Sequence, residues 1–114
     1  SYTFEGASGM EKMASIMDGL RTNAPSKIAG YDVVSVSDYE ASKTVFANGR
    51  ADEKIELPKS NVLAYGLTDG NKLIVRPSGT EPKIKAYITA VGKSREEADS
   101  IAAKLIDDAN EFMK

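Results

Sequence analysis

A short run of basic and hydroxyl side chains holds the residues best suited to chemistry. Residues 76–85 have the sequence R-P-S-G-T-E-P-K-I-K. The guanidinium of Arg76 can bind a phosphate through two parallel hydrogen bonds, and the hydroxyls of Ser78 and Thr80 can donate to its oxygens. Gly79, between the two hydroxyls, would allow a positive φ angle and a close approach of the backbone to an anion. This combination predicts a site for a small phosphorylated anion.

The charge of this run is opposite to that of the whole chain. Arg76, Lys83 and Lys85 face a single acid, Glu81, whereas the complete sequence has a net charge of −2. Pro77 and Pro82 would stiffen the segment and lower the cost of ordering it around a ligand. An ordinary turn between two strands with solvated lysines is the alternative, because Pro, Ser, Gly and Thr are common turn residues. The residues alone leave both interpretations open.

A second glycine- and lysine-containing segment has weaker support. Gly92, Lys93 and Ser94 resemble the end of a nucleotide-binding P-loop. That motif needs an earlier glycine where this chain has Tyr87. Nucleotide binding at this point is therefore not predicted.

The amino-acid inventory excludes several kinds of active site. The 114 residues include no cysteine and no histidine, which rules out disulfides, thiol nucleophiles and histidine acid–base chemistry. The small negative net charge disfavours general binding to nucleic acid or to an anionic membrane. No apolar run has the length of a membrane-spanning helix, and no signal peptide is visible. These features favour a binding role, with no nucleic-acid or membrane partner, and are compatible with a cytoplasmic location.

The length of the chain predicts one domain, residues 1–114. The sequence begins Ser-Tyr-Thr-Phe-Glu without an initiator methionine, and these first residues are typical of a β-strand. We therefore expect a fragment of a longer enzyme. A processed small protein is the alternative.

Two helices are predicted from capping signals and from apolar stripes at helical spacing. Ser8 and Glu11 have the spacing of a capping box, and Pro25 would stop the helix that they begin. Ser94 and Glu97 form a second capping box. The stripes expected to face the core are Met10, Met13, Ala14, Met17 and Leu20 in the first helix, and Ala98, Ile101, Ala102, Leu105, Ile106, Ala109 and Phe112 in the second.

The strands needed to hold the basic run follow from β-branched segments and alternation. They are residues 2–4, 31–36, 61–67, 73–76 and 84–91. Asp69-Gly70 predicts a tight hairpin turn between the third and fourth. Residues 40–57 lack a clear period, and a long loop is predicted there, with a short hairpin around Asn48-Gly49 as an option. The fold class is thus α+β, a two-layer sandwich in which two helices cover one face of an antiparallel sheet.

Residues 76–85 closely resemble the R-P-S-G-T-E-P-x-x-[RK] signature of the α-D-phosphohexomutases. The resemblance extends to residues 3–6, to residues 57–63 and to the Asp69-Gly70 hairpin, which are similar to the bacterial phosphoglucomutase/phosphomannomutase branch. Only the stretch around residues 40–54 has no match. The signature is long and therefore specific.

Enzymes of this family have four domains, and the chain resembles the fourth, which has a TATA-binding-protein-like β-α-β(4)-α fold. The resemblance implies that Arg76, Ser78, Gly79 and Thr80 surround the substrate phosphate that is not being transferred. Lys85 stands where the family often has Arg, which keeps the charge but loses the two-pronged geometry. Lys83 is a further candidate for this phosphate site.

The resemblance also implies a reaction, the interconversion of hexose 1-phosphate and hexose 6-phosphate through a phosphoserine and a hexose 1,6-bisphosphate. The serine, the Mg²⁺ site and the sugar-recognition loop belong to the other three domains. We therefore expect no catalytic residue, metal or cofactor in this chain, and no activity from it alone. Its expected partners are a glucose or mannose phosphate and the other domains of the same polypeptide. A stand-alone regulatory module for a small ligand, and a nucleic-acid-binding sheet, are the alternatives.

Overall fold

Eight antiparallel strands form one sheet in the computed structural model, which describes residues 1–114. The elements in chain order are β1 (Tyr2–Thr3), α1 (Gly9–Thr22), β2 (Lys27–Ile28), β3 (Tyr31–Asp38), β4 (Lys43–Phe46), β5 (Glu53–Lys54), β6 (Leu63–Leu67), β7 (Lys72–Pro77), β8 (Lys83–Thr89) and α2 (Arg95–Phe112). Across the sheet the order is β1-β8-β7-β6-β3-β4-β5, and β2 pairs with β3 outside this path. The predicted α+β class is confirmed.

One hydrophobic core lies between the sheet and both helices. Leu63, Tyr65 and Leu67 of β6 are buried, as period-2 alternation predicts. Because residues of α1 and α2 belong to the same buried cluster as these strand residues, both helices cover the same face. The helix residues in the cluster are Met13, Met17, Leu20, Ile101, Leu105 and Ala109. Neither helix is long and apolar enough to cross a membrane.

The strand that follows the basic run alternates between the core and the open face. Ile84 is fully buried, whereas Lys83 and Lys85 on either side of it are not. In the register of the sheet, Arg76 lies directly opposite Lys85, and residues paired in this way project to the same face. The three cations therefore share the face that carries no helix.

The chain between the helices contains more strands than predicted, seven instead of four. Residues 40–57 form the hairpin β4–β5 and not a long loop, with Lys43 opposite Lys54. Gly49 in its turn has a φ of +81°, so the optional hairpin at Asn48-Gly49 is confirmed. The other predicted turn is also present, since Asp69 and Gly70 have φ angles of +64° and +81°, as a two-residue turn of this type requires.

The two predicted capping boxes have different outcomes. Ser94 Oγ accepts a hydrogen bond from the Glu97 N–H at 3.1 Å, and Glu97 in turn accepts from the Lys93 N–H. Ser8 precedes α1 but makes no side-chain capping bond, so the first capping box is wrong although the helix start is right. Three predicted core residues are also wrong, since Met10 is 44% exposed, Ile106 is 47% exposed and Ala14 is exposed as well.

Candidate functional site

A polar cavity of about 480 Å³ opens at the loop between β7 and β8. Its lining residues are Ser1, Arg76, Pro77, Ser78, Gly79, Glu81, Lys83 and Lys85. Apart from the ring of Pro77, no apolar side chain lines it. The structure thus brings together Arg76, Ser78, Gly79, Lys83 and Lys85 from the predicted set, and Thr80 is the one predicted residue outside the lining.

Two strands position the three cations of the cavity. Arg76 and Lys85 are cross-strand partners on β7 and β8, and both are exposed. Lys83 lies two residues before Lys85 on the same face, and it pairs with Thr3 of the edge strand β1. A guanidinium and two ammonium groups on one rim provide charge-assisted donors for an anion of phosphate size.

The loop that closes the cavity is held by its own hydrogen bonds. The Ser78 N–H donates to the Lys83 carbonyl at 2.8 Å, which joins the two ends of the loop. Ser78 Oγ accepts from the N–H groups of Thr80 at 3.3 Å and Glu81 at 3.1 Å. These two amides are directed at Ser78 and not at the cavity. The hydroxyl proton of Ser78 is left to donate to a ligand, since its oxygen is the acceptor in both bonds.

The expected role of Gly79 is not found in this conformation. Its φ angle is not among the positive values of the chain, and a Cβ atom added to it would have no neighbour within 4 Å. The prediction of a left-handed glycine that shapes a backbone anion nest is therefore wrong. Thr80 is exposed and contributes its amide to the loop, as described above.

Glu81 is the charged lining side chain that sequence reasoning did not assign to the site. Its Oε2 lies 3.2 Å from the Nζ of Lys83, inside the otherwise basic cavity. The signal was present, because Glu81 and Lys83 flank Pro82, and a turn at proline brings flanking side chains together. Counting charges alone treated Glu81 only as one acid that cancels part of the positive charge of the run.

Two contacts fix the loop to the rest of the fold. The Phe4 N–H donates to the carbonyl of Pro82 at 2.8 Å, just beyond β1. Gly9, the first residue of α1, packs so closely here that an added Cβ would lie 2.3 Å from the Phe4 carbonyl oxygen and 3.1 Å from Pro82 Cβ. The helix, the edge strand and the loop therefore meet at one point.

The segment before α2 that resembles a P-loop has two of its amide donors occupied. The Glu97 N–H is bonded to Ser94 and the Lys93 N–H to the Glu97 carboxylate. Gly92 lies against the backbone of the helix, since an added Cβ would be 2.6 Å from the Ala98 nitrogen. This glycine therefore serves close packing.

The acidic side chains do not gather into a metal site, since no group of three or more His, Cys, Asp or Glu side chains could hold a metal ion. The Mg²⁺ implied by the family resemblance thus has no ligand set in residues 1–114.

Residues 20–108 match the family model of the phosphoglucomutase/phosphomannomutase C-terminal domain. The chain belongs to this family. The matched range contains the whole of β7, the loop and β8. The family membership favours the mutase interpretation over a stand-alone regulatory module or a nucleic-acid-binding sheet.

Relatives of this phosphoglucomutase/phosphomannomutase domain are much longer than the chain. A phosphoglucomutase of Staphylococcus haemolyticus is 42% identical over 89 residues, covering 78% of this chain and 16% of that protein. A phosphoglucomutase of Staphylococcus epidermidis is 37% identical over 107 residues, covering 94% of this chain and 19% of that protein. The chain thus spans less than one fifth of the length of these curated relatives. No solved structure matches it.

Proposed function

We propose that this domain binds the phosphate group of a hexose phosphate that is not being transferred, within a phosphoglucomutase. The observation that carries the proposal is the convergence of Arg76, Lys83 and Lys85 with the Ser78 hydroxyl on one polar cavity. Three charge-assisted donors and one hydroxyl match the several acceptor oxygens of a phosphate monoester. The names of the relatives support the choice of a phosphoglucomutase.

The mechanism that we assign to the domain is positioning. In the complete enzyme a phosphoserine would donate its phosphoryl group to a free sugar hydroxyl, giving a hexose 1,6-bisphosphate, and would regain the other phosphate after the intermediate turns over. The cavity must therefore accept either end of the sugar. Arg76 would set the phosphate orientation, and Lys83 and Lys85 would supply charge. Holding the remote phosphate reduces the entropic cost of aligning the reacting hydroxyl.

The rest of the reaction belongs to other parts of a longer polypeptide in this proposal. Residues 1–114 act as one domain, with the phosphoserine, the Mg²⁺ and sugar recognition supplied by its neighbours. The domain alone binds a phosphosugar and does not convert it. A cytoplasmic location follows from the expected substrate.

Titration of the chain with glucose 1-phosphate, followed by amide NMR, tests the proposal. We expect shifts concentrated at Ser78, Gly79 and Lys85. Arg76→Gln should weaken binding by about tenfold, because a charge-assisted, two-pronged contact is lost. Arg95→Gln is the matched control, since Arg95 is an exposed arginine at the start of α2, and it should leave affinity unchanged.

Two results would overturn the phosphate site. One is the absence of shifts around Ser78 at tens of millimolar ligand. The other is an Arg76→Gln variant that binds as tightly as the parent chain while both keep the same dispersed spectrum. Equal titration with glucose, which has no phosphate, would also contradict the proposal.

A further inference from the structure

The phosphate cavity contains one carboxylate among its cations. The Glu81–Lys83 pair has a separation of 3.2 Å between Oε2 and Nζ, and the two side chains are 59% and 41% exposed. Both residues line the cavity. In this structure one of the three cations is thus engaged by an internal anion.

The backbone turn makes this pairing a built feature of the loop. The Lys83 N–H donates to the Glu81 carbonyl at 2.8 Å, which closes a three-residue turn centred on Pro82. The Glu81 N–H is in turn bonded to Ser78 Oγ. The hydrogen bonds of the turn use the main-chain groups of Glu81, and the partner of its carboxylate is Lys83.

We propose that Glu81 is an internal competitor for the bound phosphate, which lowers the affinity of the cavity and promotes release. The inference rests on the proposed phosphate site. A phosphate that uses all three cations competes with the Glu81 carboxylate for Lys83 and lies near a like charge. With Glu81 ionised, the side chains of the cavity carry two net positive charges. This is equal in magnitude and opposite in sign to the charge of a phosphate monoester dianion.

Competition of this kind suits a site that must release and rebind. In the proposed reaction the bisphosphate intermediate exchanges its two ends, so a cavity that binds phosphate too tightly would retain the first end. Glu81 takes the place of the departing phosphate on Lys83 and thereby reduces the uncompensated positive charge left behind. Glu81 is a positioning residue in this scheme, because it acts on the ligand through Lys83.

Glu81→Gln is the direct test, because it removes the charge and keeps both main-chain bonds of the turn. We expect the affinity of the full chain for glucose 1-phosphate to increase by about threefold to tenfold at low salt, since a carboxylate within several ångströms of a dianion is removed. The gain should shrink as salt is added, because exposed charges are screened. The charge of the Ser1 ammonium is the same in all variants and cancels in the comparison.

Glu111→Gln is the matched control. Glu111 forms an exposed pair with Lys114 at 3.1 Å, with nearly the same geometry as the Glu81 pair, but on α2 and on the other face of the sheet. This variant changes the net charge of the chain by the same amount. It should leave phosphate affinity unchanged.

A double-mutant cycle separates competition from a structural role. Lys83→Gln should weaken binding more in the Glu81→Gln background than in the parent chain, because Lys83 is free for the ligand only when its internal partner is gone. A loop that is merely disturbed by Glu81→Gln would bind more weakly in every background.

The outcomes are distinct. The inference is supported if Glu81→Gln binds phosphate more tightly and if Lys83→Gln weakens binding more in the Glu81→Gln background than in the parent chain. If the parent chain binds phosphate and Glu81→Gln binds it equally or more weakly, the inference about Glu81 is overturned, while the phosphate site stands. Failure of the parent and of Glu81→Gln to bind either glucose 1-phosphate or inorganic phosphate overturns the phosphate site and the inference with it.

Discussion

Tyr65 is the largest fully buried side chain, and it joins the sheet to α1. Its hydroxyl donates to the Leu20 carbonyl, near the end of the helix, at 3.1 Å. Burial raises the pKa of Tyr65 to about 12, with the positive charge of Arg21 acting to lower it and the carboxylate of Asp38 to raise it. A neutral phenol is therefore part of the folded core.

The free energy of unfolding should fall steeply in alkaline solution because of Tyr65. Below about pH 10 the phenol is protonated in both the folded and the unfolded chain, so it adds no pH dependence. Between about pH 10 and about pH 12 the unfolded chain loses this proton while the folded chain keeps it. The expected loss is about 2 to 3 kcal/mol, measurable by urea unfolding across this range.

Tyr65→Phe isolates this contribution. The variant should be less stable by about 1 kcal/mol at neutral pH, because the Leu20 carbonyl loses its partner, but its stability should decline less above pH 10. Tyr2, whose pKa is also raised by burial, contributes equally to both proteins. Tyr87→Phe changes an exposed tyrosine, and its free energy of unfolding should fall with pH as steeply as that of the parent chain. An equally steep fall in Tyr65→Phe would contradict the role given to Tyr65.

At the scale of single residues, the sequence predicted the cations of the site better than its loop. Arg76, Lys83 and Lys85 follow from charge and from alternation along a strand, which are local properties. The conformation of Gly79 and the pairing of Glu81 depend on which hydrogen bonds close the loop. Several closures are compatible with the same turn residues, so composition could not choose among them.

At the scale of elements, the longer strands with a buried face were predicted, whereas the short strand β2 and the hairpin β4–β5 were not. The β6 strand alternates between buried and half-buried residues, which gives a clear period of two. By contrast, β4 and β5 contain no fully buried residue, and β2 has only two residues. A strand without a buried face needs no apolar alternation, so main-chain pairing of β4 with β3 and with β5 defines the hairpin.

The start of α1 depends on a close approach that only glycine permits. Gly9→Ala should destabilise the chain by about 1 to 3 kcal/mol, because the added Cβ would meet the Phe4 carbonyl and force a shift of backbone. Since Gly9 also lies against Pro82, the NMR signals of the loop between β7 and β8 should shift as well. Chemical denaturation and an amide spectrum measure both effects.

Gly19, in the same helix, is the control for this substitution. An added Cβ there would have no neighbour within 4 Å, so Gly19→Ala should stabilise the chain by about 0.5 to 1 kcal/mol through helix propensity alone. The loop signals should not move. Equal effects of the two substitutions on the free energy of unfolding would show that the close approach at Gly9 does not require glycine.

At the scale of the whole molecule, the core and the candidate site lie on opposite faces of one sheet. Both helices cover one face, and the cations project from the other. The open face leaves the cavity accessible to a ligand.

The chain alone should not convert glucose 1-phosphate to glucose 6-phosphate. Under the proposed function it lacks the phosphoryl-carrying serine of the complete enzyme. A coupled assay of glucose 6-phosphate formation, with a full-length staphylococcal phosphoglucomutase as the positive control, measures this. Turnover above background that disappears in Arg76→Gln would contradict the binding-only role.

The alternation along β8 ties recognition to stability within a single strand. Ile84 anchors the core between two cavity lysines, so a one-residue deletion inside β8 would send a lysine inward and an isoleucine into the anion site. Insertions between residues 78 and 82 would alter the loop and leave that alternation intact. Ligand preference can therefore vary with the length of the loop, whereas the strand tolerates substitutions but not a one-residue shift of its alternation.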